Sequence, residues 1–219
     1  MPTARESLLN AALAALSGLP WSAVRMVDVA SAAGVSRQTL YNEFGSKDGL
    51  ARALVRREVD AYLYGVDRLL AERADRGDRA DRGPAGCATS LVSVAEWTVV
   101  EARGRPLLRA LLTGCWAERL PAPRPVRPAA RSGVPAQRRA DAGHPAPADL
   151  VAVVRDRSLA ALEQGGTRGR TKEEVAELAQ RCELAVRLAL SYLLAPTPEG
   201  VGQLVRTALN GPGSRAAGR

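Results

Sequence analysis

The side chains with the greatest chemical capacity in this chain stand between Ser36 and Lys47. Ser36, Arg37, Gln38, Thr39, Tyr41 and Asn42 form a run of donors and acceptors, and Lys47 adds a cation just beyond it. Their chemistry is recognition rather than bond making. Arg matches the O6/N7 edge of guanine, and Gln or Asn matches the N6/N7 edge of adenine. The Thr39 and Tyr41 hydroxyls can donate to phosphates, and Lys47 can hold one beside the free amides of a helix start. Catalytic chemistry finds no comparable set. The single histidine, His144, lies in a Pro/Arg-rich segment, and neither a glycine-rich phosphate loop nor a metal-spaced cluster is present. The expectation is a double-stranded DNA binder that is not an enzyme and uses no cofactor and no metal.

These residues need a scaffold, and the flanking pattern supplies one. Val27 to Ala33 reads as a two-turn helix ended by Gly34, whose turn requires positive φ. Ser36 then caps a helix from Arg37 to about Glu43, with Leu40 inward and Phe44 closing its far end. Ala30, Ala33, Gly34, Val35 and Leu40 are the packing set of a helix-turn-helix, whose second helix places the residues near its N-terminus against base edges. Gly45 turns the chain, and Ser46 caps a fourth helix over 47–70. Ahead of all this, Thr3 and Glu6 form a capping box for a first helix with Leu8, Ala12, Leu13 and Leu16 inward. Gly18 is placed for a left-handed C-cap, and Trp21 is expected to plug the small core.

The whole-chain totals agree with this class without proving it. The formal net charge is +8, which favours polyanionic partners. Seven bases against four acids give residues 1–57 a net +3. Aromatics make up only 4% of the chain, so Leu, Val and Ala must build the core, and the lack of alternating strand patterns points to an all-α fold. Cys87, Cys115 and Cys182 are odd in number and far apart, which suits buried thiols rather than disulfides or zinc. Neither a signal peptide nor a membrane span is legible, so a cytoplasmic protein without membrane contact is expected.

Beyond the fourth helix, a loop of alternating Asp and Arg leads to a helix from Gly86 to about Arg103, with Leu91, Val94, Ala95, Thr98 and Val99 inward. Pro106 opens another helix, expected to run through Leu107, Leu108, Leu111, Leu112, Cys115 and Trp116. Segment 120–147 carries seven prolines and has no helical period. Two readings of it stand: an irregular loop whose arginines touch DNA nonspecifically, or GC-rich coding sequence read out of frame in place of a helix. Helices resume over 150–162, capped by Asp149 and ended by Gly165–Gly166. Another opens at the Thr171–Glu174 capping box, turns Val175, Leu178, Ala179, Cys182, Ala185, Val186, Ala189, Leu190 and Leu193 inward, and ends before Pro196. Pro198 opens a final short one, and 211–219 reads as a disordered tail.

The order Val29-Ala30-x-x-Ala33-Gly34-Val35-Ser36-x-x-Thr39-Leu40-Tyr41-x-x-Phe44-x-x-Lys47-x-x-Leu50 resembles the N-terminal DNA-binding domain of the TetR/AcrR family of bacterial transcriptional regulators. The likeness covers about residues 4–54. Arg25-Met26 departs from it where a Thr cap is common, as does Gly49 in the first turn of the fourth helix. The resemblance implies an all-α homodimer with a DNA-binding domain (1–54) and an effector-binding and dimerisation domain (55–210). The fourth helix would link the two. It further implies a repressor that binds a palindromic operator and is released by a small hydrophobic effector. Helices 150–162 and 173–194 would form the dimer interface. Trp97, Leu108, Leu112 and Trp116 would line the ligand pocket, although core packing is the commoner fate of tryptophan. The alternative is a DNA-binding protein without effector response, either nonspecific or with a disrupted C-terminal domain.

Overall fold

The computed structural model describes residues 2–76, 84–121, 145–164 and 170–210. The expectations placed on the loop after Arg76, on Gly165–Gly166, on the tail and on most of segment 120–147 lie outside the described residues. Those residues are all-α, with no strand among them. The helices are α1 (Ala4–Gly18), α2 (Met26–Ala32), α3 (Arg37–Phe44), α4 (Lys47–Arg76), α5 (Pro84–Gly104), α6 (Pro106–Thr113), α7 (Pro147–Gln164), α8 (Lys172–Leu194) and α9 (Val201–Leu209). Two compact units result: Met1–Asp60 with Cys115–Pro145, and Ala61–Gly114 with Ala146–Arg219. Helix α4 supplies residues to both.

The first unit is built on Leu8, Leu9 and Ala12 of α1, Val29 and Ala30 of α2, Leu40 and Phe44 of α3, and Leu50, Leu54 and Val55 of α4, all buried. The capping box of α1 is formed on both sides. Glu6 N donates to Thr3 Oγ1 at 3.2 Å, and Thr3 N donates to the Glu6 carboxylate at 2.7 Å. Gly18, however, is not left-handed. The helix runs through it and stops at Leu19, which is extended (φ −120°, ψ 145°) because it precedes Pro20. Trp21 does not plug the core either. It is half-buried and starts a single 3₁₀ turn, Trp21–Ala23, whose first amide donates to Arg119 O at 2.8 Å.

In the second unit α5, α8 and α9 pack together, α7 lies on α8, and α6 packs on α5. Leu91, Val94, Ala95, Thr98 and Val99 of α5 are all buried, as their spacing required. So are Leu178, Cys182, Ala185, Val186, Ala189 and Leu193 of α8, together with Tyr192, which the sequence did not single out. Pro106 occupies the first turn of α6. That helix is shorter than expected, since Gly114 takes a left-handed cap (φ 73°) and leaves Cys115 and Trp116 outside it. Cys115 is therefore exposed, while Cys87 and Cys182 are buried. Burial pushes the Cys182 thiol up to about 12.

Several helix starts also shift. Helix α7 begins at Pro147, so Asp149 does not cap it through a leading position. Its carboxylate instead reaches back to the Ala146 amide at 2.8 Å, the reciprocal half of a capping box. Helix α4 continues to Arg76 rather than stopping near residue 70. The last helix opens at Val201 behind Gly200, not at Pro198. Thr171 and Glu174 cap α8 as a complete box.

One buried polar pair stabilises the second unit. Thr98 Oγ1 donates to Val94 O at 2.7 Å and lies 3.0 Å from the Tyr62 hydroxyl. With its proton committed to Val94, Thr98 accepts and Tyr62 donates. Desolvation pushes the Tyr62 phenol up to about 12. Trp97 stacks on Tyr62 with ring centroids 5.4 Å apart and planes 11° apart. Its indole sits in the notch left by Gly65, where a Cβ would come within 2.2 Å of it.

Candidate nucleic-acid interface

The turn between α2 and α3 follows from its sequence. The Gly34 amide donates to Ser31 O at 3.1 Å and the Val35 amide to Ala30 O at 3.0 Å. These two bonds form a Schellman motif, which needs a left-handed residue after the cap, and Gly34 has φ 68°. The start of α2 lacks a side-chain cap, because Arg25 occupies that place with extended backbone. Arg25 instead pairs with Asp28 in the first turn, Nε to Oδ2 2.8 Å, and Asp28 suits the positive end of the helix dipole.

Ser36 caps α3. Its Oγ accepts from the Thr39 amide at 3.0 Å and lies 2.8 Å from Thr39 Oγ1. Leu40 and Phe44 are buried, so the helix can turn only its opposite face outward. That face carries Arg37, Gln38, Tyr41 and Asn42, all exposed. Among the described residues Arg37 forms no ion pair, so its five donors stay available. Gln38 Nε2 donates to Asn42 Oδ1 at 2.8 Å across one turn. This bond leaves the Gln38 oxygen as an acceptor and its second amide proton as a donor, the pair adenine requires.

Lys47 is held differently from the other six. Its Nζ donates to Ser22 O at 3.1 Å and lies 5.2 Å from the Trp21 ring centroid. Desolvation lowers its pKa. Part of its capacity therefore ties the start of α4 to the turn after α1, and Trp21 serves as the platform for that cation.

Sequence reasoning missed two features at the other end of α3. Arg5 Nη1 donates to both Glu43 O and Glu43 Oε2, each at 3.3 Å, with the guanidinium 4.7 Å from the Phe44 ring centroid. Gly49 of α4 packs directly beneath Phe44 O, where a Cβ would stand only 1.8 Å away. A basic residue in the first turn of a helix was the available signal for Arg5. A glycine inside an otherwise good helix was the signal for Gly49. Together with Arg25–Asp28, the Arg5–Glu43 pair neutralises both acids of α2 and α3, which leaves Arg37 as the uncompensated charge on the exposed face.

The four residues assigned to a ligand pocket do not gather within one unit. Leu108 and Leu112 are buried in α6, and Trp97 is lodged between Tyr62 and Gly65, all three in the second unit. Trp116 is half-buried and belongs to the first. Among the described residues no helix is long and apolar enough to cross a membrane, and no cluster of metal-ligating side chains occurs.

Residues 8–54 match the family described as bacterial regulatory proteins, tetR family. Over 56 residues the chain is 52% identical to the HTH-type transcriptional regulator AlkX of Mycobacterium tuberculosis (strain ATCC 25618 / H37Rv). That match covers 26% of this chain and spans about a quarter (26%) of the relative. A crystal structure of a tetR-family transcriptional regulator from Streptomyces coelicolor aligns with 96% of this chain and 79% of its own, at 20% identity and a TM-score of 0.52. The TetR family repressor AlkX from Dietzia sp. strain DQ12-45-1b aligns with 94% of this chain and 91% of its own, at 23% identity and a TM-score of 0.47. The Streptomyces structure carries the likeness in fold, and the N-terminal sequence carries the likeness in family. The helix-turn-helix of residues 8–54 is thus similar to the DNA-binding part of the tetR family of bacterial regulatory proteins.

Proposed function

We propose that the protein is a cytoplasmic repressor. It binds a palindromic operator as a homodimer and is released by a small hydrophobic effector. The observation that carries the DNA reading is the outer face of α3. Arg37, Gln38, Tyr41 and Asn42 are exposed on a helix capped at one end and buried along the other face. In this reading Arg37 and Gln38 take base edges. Asn42 orients Gln38, while Ser36, Thr39, Tyr41 and Lys47 approach phosphates. Residues 1–54 form the reader, and 55–210 form the dimerisation and effector part. Support for dimerisation comes from α7 and α8, which pack on each other and leave Val153, Leu184 and Leu194 exposed. Helix α4, common to both units, would carry the coupling, because an effector acts only by favouring one state over another.

Footprinting over the neighbouring promoter regions tests this reading. A single protected palindrome, with half-sites about 34–36 Å apart, is expected. Gln38→Ala and Tyr41→Ala should each weaken binding to it, Gln38→Ala by about 1–3 kcal/mol if it reads one base pair bidentately. Operator binding unchanged in both variants refutes the assignment of α3. Salt-sensitive protection spread over all DNA supports a nonspecific binder instead. A thermal-shift screen of apolar compounds tests the effector. A compound that stabilises the protein without altering operator affinity counts against release by ligand.

A further inference from the structure

We infer that Arg5 is a positioning residue for DNA reading, capping the C-terminal end of α3 from α1. The inference rests on α3 being the helix that enters the groove. Helix α3 has only eight residues and no basic side chain in its last turn. Its final carbonyls need partners from elsewhere. The Gly45 amide satisfies Tyr41 O at 2.8 Å, and the Ser46 amide satisfies Phe44 O at 2.7 Å. Arg5 supplies the partner for Glu43 O, at 3.3 Å, from 38 residues away.

The same guanidinium serves α3 in two other ways. It pairs with the Glu43 carboxylate, and it lies over the ring of Phe44, the buried residue that anchors the helix end. A cation at the C-terminal end also favours the dipole of α3. For α1 the opposite holds. Arg5 is the second residue of that helix, where a cation opposes the dipole and an acid such as Glu6 suits it. A residue that breaks the rule of its own helix while completing another is placed for the second.

The rival role for a basic side chain here is a phosphate contact. Neutralising Glu43 matters to DNA in either case, since Glu43 follows Asn42 directly on α3. The two roles differ in what they predict. A phosphate contact adds affinity for any sequence and contributes about one unit to the salt slope. A cap on the reader acts on discrimination. Lysine can replace arginine at a phosphate, whereas it lacks the planar guanidinium that lies over the Phe44 ring while its Nη1 donates to both Glu43 oxygens.

The test uses the full chain and a duplex that the wild-type protein enriches from a randomised pool, with a scrambled duplex as reference. Arg5→Gln and Arg5→Lys are both expected to bind the enriched duplex about tenfold more weakly. Binding of Arg5→Lys to the scrambled duplex, and the salt slopes of both variants, should stay at wild-type values. Equal loss on both duplexes by Arg5→Gln, a lower salt slope and rescue by Arg5→Lys overturn the inference in favour of a phosphate contact. Unchanged binding by both variants overturns it outright. Should Arg5→Gln fail to fold, Glu43→Gln gives a second route. Capping predicts a lower ratio of enriched to scrambled affinity, whereas simple removal of a negative charge raises both and leaves the ratio intact. A pool that yields no enriched sequence refutes the operator reading itself, a result distinct from all the others.

Discussion

Replacing Gly49 by alanine sets two effects of opposite sign against each other at the end of α3. Gly49 is the third residue of α4 and has ordinary helical backbone, not the positive φ of Gly34, Gly45 and Gly114. Propensity alone says that Ala stabilises a helix here by up to about 1 kcal/mol. Restriction of the unfolded chain, about 0.4–1 kcal/mol, is the main source of that gain and is not added to it. Packing says otherwise. The added Cβ would stand 1.8 Å from Phe44 O, where real Cβ contacts stay beyond 3.0 Å. The difference, about 1.2 Å, must be absorbed by moving a backbone carbonyl that also accepts from the Ser46 amide at 2.7 Å. Such overpacking costs about 1–3 kcal/mol or more, and no side-chain rotation relieves it. The expected result is a net loss of stability of about 1–2 kcal/mol, a fall in Tm of about 2–8 °C for a chain of this size. Because Phe44 ends α3, the displacement also reaches the face proposed to read DNA. Losing one bidentate base contact costs a further ~1–3 kcal/mol of discrimination. Thermal melting by circular dichroism and operator titration by fluorescence anisotropy measure the two effects. If Gly49→Ala melts higher and binds its operator normally, the close approach of α4 to Phe44 is not what selects glycine.

The Tyr62–Thr98 pair predicts an order among variants. Thr98→Val strands a buried phenol and should cost about 1–3 kcal/mol, while Tyr62→Phe combined with Thr98→Val should cost less than Thr98→Val alone. Denaturant midpoints rank them, and a double variant less stable than the single one refutes the bond's role. Acid sensitivity follows from two carboxylates. The Thr3 amide and hydroxyl hold Glu6 below its usual range, and Arg187 and Arg155 do the same for Glu183. Depressed folded-state values stabilise the fold above the ordinary carboxyl pKa near 4.5. That contribution is lost as pH falls through the lower folded values. Glu6→Gln should therefore lose less stability than wild type between about pH 5 and pH 3. An identical pH profile in the two proteins counts against the capping box as a charged contact.

The helix-turn-helix was legible because its determinants are local. Ser36 caps α3 from one residue away, and Gly34 permits a turn whose partners, Ala30 and Ser31, lie within five residues. The same holds for the Thr3 and Thr171 boxes, for Pro106 and for the inward stripes of α5 and α8. Where a helix end depends on a neighbour, local rules misled. Gly18 looked like a cap, yet Pro20 decided where α1 stops by forcing Leu19 to be extended. Cys115 and Trp116 continued an apolar pattern, yet Gly114 had already taken the cap. Trp21 looked like core and is instead the platform beneath Lys47.

The contacts that hold α3 and the start of α4 in place were not legible at all. Arg5 reaches Glu43 across 38 residues, and Lys47 reaches Ser22 across 25. No periodicity encodes either contact. At the opening run from Ser36 to Lys47, residue types alone settled which groups could meet a base edge, because hydrogen-bonding capacity belongs to the side chain. Which of them stay available was decided by folding. It buried one face of α3, tied Gln38 to Asn42, spent part of Lys47 on Ser22 and left Arg37 unpaired among the described residues. The chain's chemistry lies in its residue types, whereas the direction in which that chemistry points depends on neighbours far along the chain.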